Sequence, residues 1–127
     1  MKRRIVSLPG PKSKLPLSPG VIVGNLLFTS GQVGVNKTTK ETPTSVGEQT
    51  QCCFDNLKPI LEAAGLGMED VAKVNVYLTD MSDFPEMNKV YKEQFPDDPP
   101  ARTTVGISGL AMPEYKVEIE MIAVVPD

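Results

Sequence analysis

The residues of this chain best suited to chemistry are an arginine and two glutamates near its end. Arg102 lies in the run Ala101-Arg102-Thr103-Thr104-Val105-Gly106-Ile107, which reads as a strand. A guanidinium presents its donors in a rigid fork that meets a carboxylate through two parallel hydrogen bonds, and lysine does not copy that geometry. Alternation along a strand puts Arg102, Thr104 and Gly106 on one face and Ala101, Thr103, Val105 and Ile107 on the other. The second set suits helix packing, so Arg102 is expected to face away from the helices, toward a partner subunit. A charge there is costly unless paired. Glu118 and Glu120 share one face of the last strand, as a general-base pair or as interface polar groups. Pattern alone favours an internal pairing of Arg102 with one of them. The alternative is that Arg102 clamps the carboxylate of a ligand. Pro99-Pro100 stiffens the approach to it.

Other chemistries are thinly represented. The chain has no histidine, which removes His-centred triads, His metal ligands and His proton shuttles. Cys52 and Cys53 are adjacent, a poor geometry for a disulfide, and read as two thiols on a helix in a reducing cytosol. No zinc-ligand pairs accompany them. Asp97-Asp98 falls in a Pro-rich loop with no third ligand in evidence, and Asp80 and Asp83 flank a helix start and read as caps. No phosphate-binding loop, dinucleotide-binding glycine pattern or nucleophile elbow occurs. A net charge of -3 and a pI near 5.0 argue against a broad surface for nucleic acid.

These residues must be positioned by a small fold. A length of 127 residues suits one domain, residues 1–127. The basic start is followed by Pro9, Gly10 and Pro11 rather than an apolar run, so neither a signal peptide nor a membrane span is read, and the expected location is cytoplasmic. Ile5–Leu8 predicts a first short strand. Val21–Val23 and Leu26–Ser30 flank Gly24-Asn25 as a hairpin, with Gly31 placed to use a positive φ and Val33–Val35 continuing the sheet. Ser45 and Glu48 fit a capping box opening a helix over Val46–Ala64. Gly65 closes that helix, and Pro59 should kink it or remove one of its bonds. Asp70–Asp80 predicts a strand with Ala72, Val74, Val76 and Leu78 on one side. A second helix over Ser82–Phe95 tolerates Pro85 in its first turn and buries Phe84, Met87, Val90, Tyr91 and Phe95. Ala101–Ile107 and Lys116–Val125 complete the strands.

The expected fold is α+β, a single mixed sheet with two helices on one face. On the last strand Val117, Ile119, Met121, Ala123 and Val125 make one face apolar, yet the other carries Ile122 and Val124 beside the glutamates. A strand apolar on both sides is covered on both sides. With the helices on one face, other copies of the chain are the simplest cover for the second.

Several short segments together carry a family resemblance. They are Phe28-Thr29-Ser30-Gly31-Gln32, Asn56-Leu57-Lys58 with Leu61–Gly65, and Val74–Leu78 with Asp80 and Asp83-Phe84. Asn88, Tyr91 and Phe95, then Pro100-Ala101-Arg102 and Val117–Glu120, complete the set. In this order and spacing the chain resembles the Rid family, also called the YjgF or endoribonuclease L-PSP family. The resemblance implies a chorismate-mutase-like fold, a homotrimer whose sheets close a central barrel, and pockets in the clefts between subunits. It implies hydrolysis of reactive 2-imino and enamine acids to 2-oxo acids and ammonia, with no metal or organic cofactor. By position, Arg102 would clamp the substrate carboxylate and Glu118 would hold the attacking water. Ser30 and Gly31 would line the pocket, with Asn88 supporting its wall and Thr104 beside Arg102. Two positions depart from the pattern: Leu17 stands where the family usually has a pocket tyrosine, and Thr104 where the best-known deaminases have cysteine. A non-catalytic carboxylate-binding or chaperone-like trimer is the second reading. A ribonuclease or translation inhibitor ranks below both, given the negative charge and the absence of histidine.

Overall fold

The last strand organises the sheet, because its alternate residues are apolar enough to be covered on both sides. The computed structural model describes residues 2–126. Its strands are β1 (Arg4–Val6), β2 (Gly20–Val23), β3 (Leu26–Thr29), β4 (Gln32–Val33), β5 (Val71–Leu78), β6 (Ala101–Gly106) and β7 (Val117–Val124). Its helices are α1 (Val46–Ala63) and α2 (Phe84–Gln94). The sheet order is β1-β2-β3-β7-β5-β6, with β4 also beside β7. Among the described residues only β5 and β6, joined through α2, are parallel, which makes the sheet mixed.

Local chemistry accounts for the elements. Gly24 turns the β2–β3 hairpin at φ 61°. The Ser45 hydroxyl accepts from the Glu48 N–H at 3.1 Å and donates to the Glu48 carboxylate at 3.2 Å. A second donor of that first turn, the Gly47 N–H, gives 2.7 Å to the Glu86 carboxylate of α2, an anion at the positive end of the helix dipole. At the other end Gly65 takes φ 76°, and Leu66 and Gly65 donate back to the Leu61 and Glu62 carbonyls, a Schellman closure. The helix runs unbroken through Pro59. Pro59 is exposed, and it leaves the Asp55 carbonyl without its helical donor.

The core lies between the helices and one face of the sheet. Leu27, Phe54, Leu57, Ile60, Val74, Val76, Leu78, Met87 and Ile119 are fully enclosed there. Phe54, Tyr91 and Phe95 pack with ring centroids 5.1–5.8 Å apart. Among the described residues no layer covers the opposite face. Val21, Leu26, Phe28, Ile122 and Val124 line it through paired positions of β2, β3 and β7, and Phe28 and Val124 remain about 40% exposed, at 41% and 40%.

Several boundaries differ from expectation. β1 covers Arg4–Val6 rather than Ile5–Leu8, and β4 ends at Val33. A register shift between Val71 and Lys73 turns Val71 into the core and leaves Ala72 exposed. The second helix opens with a 3₁₀ turn, Met81–Asp83, before α2 begins. Asp80 caps that turn, accepting from the Ser82 N–H at 2.9 Å, while Asp83 makes no side-chain capping bond.

Candidate active site

The face assignment of β6 is the main correction. Register pairs Arg102 with Val74, Thr104 with Val76 and Gly106 with Leu78. Residues paired across a ladder share a face, and these partners are all fully buried beneath the helices. Arg102, Thr104 and Gly106 therefore face the helix layer. Ala101, Thr103 and Val105 point outward, and Val105 is 41% exposed. The expectation failed because β6 is an edge strand, whose outward face tolerates apolar residues in the isolated chain. Gly106 confirms the direction, since a Cβ there would lie 2.9 Å from the Met81 Cγ.

Arg102 thus meets α2. Its Nη1 donates to the Asn88 Oδ1 at 2.8 Å. Its Cζ lies 4.5 Å from the Tyr91 ring centroid and 5.5 Å from that of Phe84. Phe84, Asn88 and Tyr91 stand at i, i+4 and i+7, one stripe of one helix. The expected ion pair with Glu118 or Glu120 is not formed, because those residues lie across the sheet. Beside Arg102, the Thr104 Oγ1 and the Tyr91 hydroxyl are buried without hydrogen-bond partners among the described residues.

A second cluster forms on the open face. Phe28 faces Ile122 and Gln32 faces Ile119, so Thr29, Ser30 and Gly31 stand opposite only Glu120 and Met121. This is a one-residue bulge between β3 and β4. The Thr29 Oγ1 accepts from the Met121 N–H at 3.0 Å. Ser30 is tied to the preceding loop through its N–H to the Pro19 carbonyl and its hydroxyl to the Ser18 carbonyl, at 2.9 and 2.6 Å. Gly31 does not take the expected positive φ. Its lack of a side chain serves Glu118 instead, whose carboxylate occupies the space a Cβ would fill. Glu118 is half-buried, and burial first and the nearby Glu120 second push its carboxyl above the ordinary glutamate range. Glu120 accepts from the Asn75 Nδ2 at 3.2 Å. Tyr77 faces Glu118 across the ladder, its hydroxyl pushed up by burial and then by Glu120. Leu17 is exposed, one residue from the Ser18 that anchors Ser30.

The protomer therefore brings together Arg102, Asn88 and Thr104 on the helix side, and Ser30, Gly31 and Glu118 on the open side. The sheet separates the two sets. Sequence reasoning placed Tyr91 and Phe84 in the core and missed their contact with Arg102, although their spacing about Asn88 carried the signal. The described hollows, of about 350 and 420 Å³, lie elsewhere. One is between the 35–38 segment and α1, the other between α1 and α2, and neither includes Arg102 or Glu118.

The family described as Endoribonuclease L-PSP matches residues 9–125. The chain belongs to that family. Among its relatives, a protein of Dermatophagoides farinae named 2-iminobutanoate/2-iminopropanoate deaminase is 42% identical, over 97% of each chain. One of the same name from Escherichia coli strain K12 is 39% identical over 98% of each. The crystal structure of Escherichia coli TdcF with bound serine superposes with a TM-score of 0.88 at 37% identity, covering 97% of this chain and 99% of that one. The expected mixed sheet with two helices is thus the architecture of the L-PSP family.

Proposed function

We propose that this protein hydrolyses reactive 2-imino and enamine acids to 2-oxo acids and ammonia, in a cleft shared by neighbouring copies of a homotrimer. The observation that carries the reading is the setting of Arg102. The described contacts of its guanidinium are one amide and two aromatic rings, none of them an acid. Its charge is left for a ligand carboxylate. The deaminase names of full-length relatives support the reaction, and the serine bound to the Escherichia coli neighbour supports a small amino-acid-like ligand.

In this reading Arg102 grips the substrate carboxylate, Asn88 and Thr104 belong to its half of the cleft, and Glu118 of a neighbouring copy holds the water. Ser30, Gly31 and Leu17 line that opposite half. Water adds to the C=N carbon, the nitrogen takes up protons, and the C–N bond breaks to leave a carbonyl and ammonia. The carbon is already electrophilic, so positioning and one fixed charge supply much of the catalysis. A second copy is needed because Arg102 and Glu118 face opposite sides of one sheet. The uncovered apolar positions around Phe28 and Val124 offer the surface for such contact.

A coupled assay tests the reaction. Threonine dehydratase generates the imine, and semicarbazide traps whatever escapes hydrolysis. The protein is expected to lower trapping in proportion to its concentration, and Arg102→Ala to abolish the effect. Equal trapping with wild type and Arg102→Ala would sink the proposal. A non-catalytic carboxylate binder is favoured by one feature, Leu17, which puts no hydroxyl at that position. Binding of 2-oxo acids without turnover would identify it.

A further inference from the structure

We propose that α2 carries a positioning rail for Arg102, made by the rings of Phe84 and Tyr91 on either side of Asn88, and that the Tyr91 ring sets the orientation of the guanidinium. The inference rests on reading Arg102 as a carboxylate clamp. It does not require turnover.

The need for a rail follows from the strand. Among the described residues β6 has a neighbour on one edge only, and from Ala101 to Val105 its residues alternate between exposed and half-buried. An arginine on such a strand keeps many rotamers, and holding it in one costs side-chain entropy. Here one hydrogen bond of 2.8 Å to Asn88 anchors a single donor, and the Tyr91 ring 4.5 Å from Cζ sets the orientation of the guanidinium about that anchor. The contacting groups lie on one stripe of one helix, so they move as a unit.

The rail is itself held. Tyr91 is only 6% exposed, and meets Phe54 edge-on at 5.8 Å and Phe95 at 5.1 Å. Pro85, in the first turn of α2, fixes the backbone next to Phe84. Among the described residues the Tyr91 hydroxyl has no hydrogen-bond partner, so the ring and not the oxygen acts on Arg102.

The choice of groups has a chemical consequence. Ring quadrupoles and an amide oxygen attract a cation without carrying net charge. They hold Arg102 without neutralising it. A glutamate in place of Asn88 would hold it as firmly and compete with every incoming carboxylate.

The test compares Tyr91→Phe, Tyr91→Leu and Phe84→Leu, reading kcat and KM for imine hydrolysis and the Kd for 2-oxobutanoate by calorimetry. Tyr91→Phe should stay within about twofold of wild type in all three. The two leucine variants should raise KM and Kd by about three- to thirtyfold, the span of a lost cation–ring contact, with kcat within about threefold. A purely structural role for the ring would lower kcat through the active fraction and leave KM and Kd unmoved. Phe84 is less buried than Tyr91 and keeps the test alive should Tyr91→Leu fail to fold. Wild-type KM and Kd in folded leucine variants would overturn the rail. If wild type binds 2-oxobutanoate without hydrolysing imines, the deaminase reading falls, and weaker binding by the leucine variants still supports the rail. If wild type binds no 2-oxobutanoate and Arg102→Ala changes nothing, both fall.

Discussion

Arg102 shows what a residue's type discloses and what its neighbours decide. Its chemistry was readable from sequence, because only a guanidinium offers a planar fork of donors. Its face was not, because on an edge strand both faces admit mixed residues and only the pairing with Val74 settles the direction. Arg102→Lys keeps the charge and loses the fork. It should lower kcat/KM by about ten- to hundredfold, the worth of one charge-assisted hydrogen bond, and Arg102→Ala by more, both read in the semicarbazide assay. Glu118 gives a prediction in pH. Its carboxyl is held above the usual range by burial and then by Glu120, so it keeps its proton to a higher pH than an ordinary glutamate. If it holds water as the carboxylate, kcat/KM falls as pH drops through that raised value. Glu120→Gln removes the charge contribution but not the burial, so the acid limb should move to lower pH. An unmoved limb would take Glu118 out of the reaction. Gly31→Ala should do harm for a steric reason, since the added methyl and the Glu118 carboxylate need the same space. Both kcat and the position of the acid limb should then change.

At the scale of elements, the hairpin at Gly24 and both ends of α1 were legible, because each is set by residues within one turn of the chain. The bulge at Thr29–Gly31 and the register shift at Val71 were not, because they are properties of two strands and neither strand's pattern contains its partner's count. Gln49 is another such case. It sits on α1 in a polar pattern, yet it is fully buried. Its amide donates to the Pro43 and Glu114 carbonyls at 2.8 and 2.9 Å and accepts from the Lys116 N–H at 2.8 Å. The contact fixes α1 to the chain entering β7, one residue before Val117 and two before Glu118. The backbone of Gly34 fits against Gln49 so closely that a Cβ would come within 2.5 Å of it. Gln49→Leu keeps the bulk and strips all three bonds, leaving buried backbone groups unpaired. About 2–4 kcal/mol of unfolding free energy should be lost in urea titration, with the slope unchanged. A loss below about 0.5 kcal/mol would mean that water reaches those groups and that the entry to β7 is not held from α1.

For the whole molecule, the sheet poses the question that one chain does not answer. Arg102 and Glu118 belong to opposite faces, so no side-chain rearrangement within a protomer brings them to one small substrate. The apolar positions of β2, β3 and β7 need cover that the two helices, both on the far side, do not provide. One assembly meets both needs if the open face of one copy approaches the β6 edge of the next. Subunit mixing tests it directly. Arg102→Ala and Glu118→Gln should each be inactive alone. In a co-refolded equal mixture, a cleft is intact when its Arg102 comes from a Glu118→Gln chain and its Glu118 from an Arg102→Ala chain. Random closure of a ring gives that combination in about a quarter of clefts, so about a quarter of wild-type activity should return. A site contained in one protomer returns none at any mixing ratio. Phe28→Asp supplies the converse, because a charge on the uncovered face should dissociate the particle in sedimentation and abolish turnover while leaving Arg102 and its rail in place. Full activity in a monomeric Phe28→Asp variant would refute the shared cleft, since Glu118 would then have no route to the guanidinium's side of the sheet.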